Sequence, residues 1–425
     1  MKYKRLLASL LSATLLVGLG ACGQKGKTNS SEKAKAGGEK VELTFGIWDK
    51  KQKLAMDKLV ETYEKSNPNV KVKIQLTPYK EYWTKLEAAA TGGTAPDVFW
   101  VNVLHLDSYL EGGILQDITE AVKASDFKEN YSAALLNNYV RDGKNYAVPK
   151  DFDTNALWYN KGLFDKAGVK YPTDDLTYED FVKLCKELKA KLPKGVYPFA
   201  CPVDFQTWYY QTIYANGGYI INKEKTETGY MDPKTQGGIA CWIDLIKQEL
   251  SPTAATLSET NADAMFGSEQ IAMNFAGSYM LPEYAGNEVI KGKIDCVEIP
   301  TFNGIEANCI NGLGYAVYAK GKNTEEATKF AIWLGSKEAM QIQGESGVVI
   351  SARNDAKALF EKASPNYHLS AYIEHVDKAY PLPVCKKAAE LYKLESEWLV
   401  KAYNGEMSLE DACKALKPLA DKLLK

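Results

Sequence analysis

The residues best suited to chemistry lie in one run, Tyr146-Ala-Val-Pro-Lys-Asp-Phe-Asp-Thr-Asn-Ala-Leu-Trp-Tyr-Asn-Lys161. It enters as a strand, passes through Pro149, carries Asp151 and Asp153, and returns to the apolar Ala156-Leu157-Trp158-Tyr159. Carboxylates that interrupt an apolar strand cost desolvation unless they are paired or solvated in a cleft. In extended chain, residues two apart face one side, so Asp151 and Asp153 are expected to point the same way. Such a pair suits two chemistries. Glycoside hydrolysis needs the two acids on opposite sides of a scissile bond, one with a raised pKa. Recognition needs only neighbouring acceptors for vicinal sugar hydroxyls, and it fits the spacing better. A surface loop whose acids do nothing is the third reading.

Two further pairs point the same way. Trp48-Asp49 follows an alternating apolar segment, and Trp100 with Asn102 ends another. Ligands of open parallel sheets bind beyond the carboxyl ends of the strands. An indole there stacks on the C–H face of a pyranose, while Asp and Asn take its hydroxyls. Core packing is the competing reading for each Trp. Other chemistry is not indicated. The three His (105, 368, 375) have no metal-ligand spacing, and no nucleophile elbow, phosphate loop or dinucleotide fingerprint occurs. Gly312-Leu313-Gly314 reads as a close approach of backbones. No metal and no cofactor are expected.

The elements that must hold these residues alternate. Val41, Leu43, Phe45 and Ile47 have the period of a strand. Met56, Leu59, Val60 and Tyr63 form a helical stripe, ended by Asn67-Pro68-Asn69. Val70 to Leu76 alternates again, a helix is expected over 80–91, and Asp97 to Val101 is strand-like. This is the βαβ pattern of a mostly parallel sheet. Thr177-x-x-Asp180, Asn323-x-x-Glu326 and Ser408-x-x-Asp411 are capping-box starts for later helices. The fold class is α/β. The 385 residues from position 41 exceed one ordinary sheet domain, so two lobes are expected.

The first forty residues read as address and tether. Lys2, Lys4 and Arg5 precede an apolar stretch from Leu6 to Gly20, which ends in Leu19-Gly20-Ala21-Cys22. Charge, apolar run and small residues in that order form a signal peptide. The Cys that follows makes the end resemble the lipobox of bacterial lipoproteins, with Cys22 the lipidated residue. Residues 23–40 hold four Gly, five Lys and no apolar residue larger than Ala, the composition of a flexible linker. Seven Cys remain, without a C-x-x-C. Most are expected to be free and buried; Cys185–Cys201 and Cys296–Cys309 are the pairings left open.

Composition excludes other classes. The 425 residues are 45% hydrophobic and 25% charged, so neither a disordered nor a polytopic membrane chain is expected. A formal charge of -2 excludes the basic domain of a nucleic-acid binder.

Read together, the motifs resemble those of bacterial extracellular solute-binding lipoproteins of sugar ABC importers, the family related to maltose-binding protein. Ala95-Pro-Asp-Val-Phe-Trp100, the 146–161 run, Ile271-Ala-Met-Asn-Phe-Ala-Gly-Ser-Tyr279 and the 327–341 helix region carry the likeness, which covers 22–425. The resemblance implies a periplasmic-binding-protein-like fold: two lobes, each a mostly parallel sheet flanked by helices, joined by a multi-strand hinge. It implies lobe one at 41–152 and 308–352 and lobe two at 153–307 and 353–425. The ligand-binding residues it implies add to those above. Trp100 becomes a stacking wall and Asp153 an acceptor near the hinge. Asp204 to Trp208 supplies contacts from lobe two, Gln206 and Trp208 above all. Gly277, Ser278 and Tyr279 form the turn before an aromatic, and Arg353 is a donor near a crossover. Tyr279 stands where the family commonly has Trp, which implies a narrower or more polar subsite. The implied protein is a non-catalytic monomer. It captures a neutral mono- or oligosaccharide, docks on ABC transporter permease subunits, and touches the membrane only through its lipid anchor. The alternatives are a surface glycosidase using Asp151 or Asp153, and a receptor for a non-sugar solute such as a glycerol phosphodiester.

Overall fold

The computed structural model describes residues 40–425. Residues 1–39, with the expected signal peptide, Cys22 and nearly all of the tether, lie outside the described residues. Two main sheets are built from β1 (Val41–Ile47), β2 (Val70–Leu76), β3 (Val98–Asn102), β4 (Ala147–Pro149), β5 (Asn155–Asn160), β6 (Met273–Gly277), β7 (Ile294–Val297) and β8 (Leu313–Val317).

The first sheet has the order β2-β1-β3-β8-β4. Leu43, Phe45 and Ile47 of β1 are fully buried, as their alternation requires. β1 runs parallel to β2 and β3, and β8 alone runs against its neighbours β3 and β4. The crossovers are α1 (Lys53–Ser66), which buries Met56, Leu59, Val60 and Tyr63, and α2 (Tyr79–Thr91). α3 (Val103–Glu111) follows β3 without a break, because the Asn102 side chain caps it by accepting from the Leu104 and His105 amides.

The second sheet departs from expectation. Its order is β7-β5-β6, and both pairings are antiparallel. The one parallel addition is a bridge at its edge, Tyr197 to Ile271. Pro198 follows at once and has no amide hydrogen to continue the ladder, so the apolar Phe199-Ala200-Cys201 packs as irregular chain. Thr177 and Ser408 cap their helices as their spacing predicts. Asn323 does not; its amide donates to the Glu42 carbonyl at 3.1 Å.

The chain passes between the sheets beside the candidate site. Asp151-Phe152 pairs with Ile350-Ser351, and Asp153 bridges Asn311. The backbones approach closely at Gly312, where a Cβ would lie 2.4 Å from the Asp151 carbonyl oxygen, so only glycine fits. All seven described cysteines are buried and free, so neither open disulfide pairing forms. Among the described residues no helix is long and apolar enough to cross a membrane.

Candidate functional site

A cleft of about 480 Å³ opens beyond the carboxyl ends of β1 and β3, within the usual range for small-molecule sites. Trp48, Tyr79, Phe205 and Tyr279 give it aromatic faces; Asp49, Asn102, Asp151, Asp153, Asp204 and Gln206 give it polar edges. Among the described residues no Lys, Arg or His lines it. The cleft has two sides. Trp48, Tyr79 and Asn102 come from the first sheet's loops, and Phe205, Gln206 and Tyr279 from the second's. At its rim Lys51 and Glu283, one from each side, pair at 3.3 Å.

Asp153 is the centre of the polar floor. Its Oδ1 accepts from the Ser278 amide and hydroxyl, each at 2.6 Å. Its Oδ2 accepts from Gln206 Nε2 at 2.9 Å, and Gln206 Oε1 accepts from Asn311 Nδ2 at 3.1 Å. Among the described residues the carboxyl has no basic partner, and burial pushes it up to about 7 against the pull of these donors. Gly277 does not line the cleft but makes this arrangement fit. A Cβ there would come within 2.6 Å of Asp153 Oδ2 and 2.4 Å of the Tyr279 ring.

The other acids are used differently. Asp151 faces the cleft edge, yet its Oδ2 pairs with Lys150 and its Oδ1 accepts the Leu313 amide. Asp49 accepts the Lys51 and Gln52 amides and the Gln52 side chain. Asp204 caps the Thr207 amide, and burial raises its pKa. Asn102 spends its oxygen on the cap of α3 while lining the cavity.

Three residues expected to meet a ligand do not line the cleft. Trp100 is fully buried behind Trp48, which meets it edge-on at 5.0 Å, and Lys150 Nζ sits 4.5 Å above its ring. Trp48 lines the cavity, and Trp100 does not. Trp208 turns inward, donates to the Ala200 carbonyl at 2.9 Å and packs near Phe275. It lies on a π-helical turn, Phe205–Tyr209, which presents Phe205, Gln206 and Thr207 to the cleft and the next two rings to the core. Arg353 is only 2% exposed and lies outside the cleft. Its guanidinium forks onto Asp126 at 2.9 and 2.6 Å and onto Asp355 at 2.8 Å, stapling two loops.

The structure adds Tyr79, Gln52, Asn311, Leu313 and Val349 to the lining. Tyr79 follows the end of β2, so the strand-end rule that found Trp48 also reaches it. Asn311, Leu313 and Val349 come from distant chain and leave no local signal. Far from the cleft, Glu298, Glu306 and His375 are the one gathering of metal-type side chains among the described residues, and Lys378 stands 3.7 Å from Glu306.

The model of the bacterial extracellular solute-binding protein family matches residues 48–341. The chain is 25% identical to the multiple sugar-binding protein of Streptococcus mutans, over 83% of this chain and 84% of that one. It is 25% identical to the galactooligosaccharide-binding protein of Bacillus subtilis, over 84% and 83%. Among solved structures, an ABC substrate-binding protein of Listeria monocytogenes in complex with cycloalternan superposes with TM-score 0.83 and 27% identity. That match covers 90% of this chain and 99% of the other.

Proposed function

The chain belongs to the bacterial extracellular solute-binding proteins, and from that premise we propose that it captures a neutral mono- or oligosaccharide and hands it to the permease of an ABC importer. The observation that carries the reading is the composition of the cleft wall. Aromatic faces stand beside carboxylates and amides, and among the described residues no basic side chain lines the cavity. Sugar rings present C–H faces to the first and hydroxyl donors to the second. The same absence disfavours a glycerol phosphodiester, whose phosphate calls for Arg or Lys. Asp151 and Asp153 do not form a glycosidase pair, because Lys150 neutralises one and three donors engage the other.

Capture works by closure. A sugar that touches Trp48 and Asn102 on one side and Gln206 and Tyr279 on the other selects the state in which both sides meet it. We place the lobes at 41–152 with 308–352 and at 153–307 with 353–425. The staple from Arg353 to Asp126 argues for moving the last boundary a few residues later. The mature protein is a monomer, held to the outer face of the cell membrane by lipids on Cys22.

The test is a thermal-shift screen over monosaccharides, maltose, galactooligosaccharide, diacetylchitobiose and cycloalternan. A ligand at 100 times its dissociation constant adds about 2.7 kcal/mol to stability. A shift with at least one is the expected result, and none across the panel would overturn the reading.

A further inference from the structure

Glu395 is a fully buried carboxylate that the cleft does not contain. It lies on the helix Ala388–Tyr403, in the core of the side that carries the π-helical turn. Three hydroxyls donate to it: Tyr210 at 2.8 and 2.9 Å, Tyr209 at 3.2 Å, and Tyr230. No basic side chain pairs with it among the described residues. The other titratable groups that face it are Asp204, Tyr214, Tyr392 and Cys413.

A buried, unneutralised carboxylate is costly, and a hydrophobic residue would serve the core at lower cost. What the carboxylate holds is informative. Tyr209 closes the π-helical turn and Tyr210 begins the helix that continues it. One turn earlier on the helix of Glu395, Tyr392 stacks on Phe205 at 4.1 Å and 21°. A single helix face thus grips the first residue of the turn through Tyr392 and its end through Glu395.

The turn needs such a grip. A π turn carries one residue more than an α turn and persists only where its surroundings demand it. Relaxing it to α geometry would rotate the preceding residues by about 100° around the axis. Gln206 would then leave Asp153, and Phe205 and Thr207 would leave the cleft wall.

We propose that Glu395 is a positioning residue for the cleft, its carboxylate gathering the tyrosine hydroxyls that hold the turn Phe205–Tyr209 in the register that presents Phe205, Gln206 and Thr207 to the ligand. Hydroxyl donors bind an ionised carboxylate more strongly than a neutral acid or amide. A protonated Glu395 also loses acceptor capacity to its own proton. Burial, opposed by the three hydroxyls, brings its titration up to about 7. The clamp is therefore tightest above neutral pH.

The test uses hydrogen exchange of the unliganded protein, read on the peptide spanning 204–211, in wild type, Glu395→Gln and Tyr210→Phe. At pH 8.5 Glu395→Gln is expected to exchange there about tenfold faster than wild type, with the helix Lys53–Ser66 unchanged. At pH 6, after correction for intrinsic rates, the gap should narrow, because wild-type Glu395 is then protonated. Tyr210→Phe should give a smaller effect in the same direction. Unchanged exchange in that peptide, or an equal rise across the chain, overturns the proposal. Saccharide affinity is the second readout and rests on the function proposed above. The ratio of variant to wild-type Kd should be larger at pH 8.5 than at pH 6, a comparison in which the titration of Asp153 cancels. A ratio of one at both pH values overturns the proposal. If wild type binds no saccharide in the panel, the saccharide reading fails and the exchange data still decide the role of Glu395.

Discussion

Replacing Asp153 by Asn separates a functional carboxylate from a structural one, and the expected result runs against intuition for a half-buried, triply bonded group. The Ser278 amide can only donate, so the new Asn must turn its oxygen toward Ser278 and its NH2 toward Gln206. Gln206 then either loses that bond or flips, and a flip disturbs its bond with Asn311. The loss is about one hydrogen bond to a charged group, roughly 1.5–3 kcal/mol. A second effect opposes it. Folded Asp153 titrates at about 7, against 3.8 for an ordinary Asp. Stability supplied by its protonated form is fully present below the unfolded pKa and is lost as pH rises through the folded one. At about 1.36 kcal/mol per pH unit, the wild type carries a penalty on the order of a few kcal/mol at pH 8. Asn never ionises and escapes that penalty. The variant should therefore melt no lower than wild type at pH 8, and should lose the wild type's gain in stability between pH 7 and pH 5. Saccharide affinity should fall at least about tenfold, or 1.4 kcal/mol, because the charged acceptor at the cleft floor is gone. Calorimetric binding and thermal melts across pH measure both. Unchanged affinity, or a melting point clearly depressed at pH 8, would refute the assignment of Asp153 as a ligand acceptor held at a cost to stability.

Further outcomes follow from the packing of the two indoles and the cysteines, and one from the sequence at Cys22. Trp100→Ala should destabilise the protein by about 3–5 kcal/mol in denaturant melts, because it empties a fully buried site behind Trp48. Trp48→Phe, which keeps an aromatic face in the cleft, should instead fold normally and bind saccharide more weakly by calorimetry; the reverse pattern would restore Trp100 as the wall. Thiol titration of the mature body should find none of the seven described cysteines reactive in the native state and all seven in denaturant, since each is buried and unpaired. Cys22→Ser in the whole cell should release the protein from the membrane fraction into the medium, and retention at the membrane would argue against the lipid anchor.

The α/β class, the helix starts at Thr177 and Ser408 and the edge of the site were all legible in the sequence, because each rests on local periodicity or on a side chain capping its own helix. Trp48, Asp49 and Asn102 were singled out by one rule, that polar and aromatic residues at strand ends face a cleft, and Asp153 by another, that an acid interrupting an apolar strand needs a partner or a cleft; all four line the cavity. Tyr79 obeys the first rule. Asp151 was read correctly as unusual, but only the fold shows that the adjacent Lys150, turned inward under Trp100, neutralises it.

The tertiary structure decided which of several equivalent-looking residues faces the ligand. Trp48 and Trp100 both read as indoles near strand ends, but Trp48 follows β1 while Trp100 lies within β3, and the edge-on packing of the two leaves Trp48 on the cleft and Trp100 in the core. Gln206 and Trp208 lie two apart, and once the segment winds as a helical turn rather than running as a loop they point to nearly opposite sides. Arg353 had the right chemistry for a ligand donor, yet carboxylates from Asp126 and Asp355 claim its guanidinium. The antiparallel second sheet likewise follows from long-range return of the chain and from Pro198. Sequence thus determines what each short segment is able to do, through propensity and pattern. Which side chains meet a ligand depends on contacts between segments far apart in the chain, and those exist only once the core has packed.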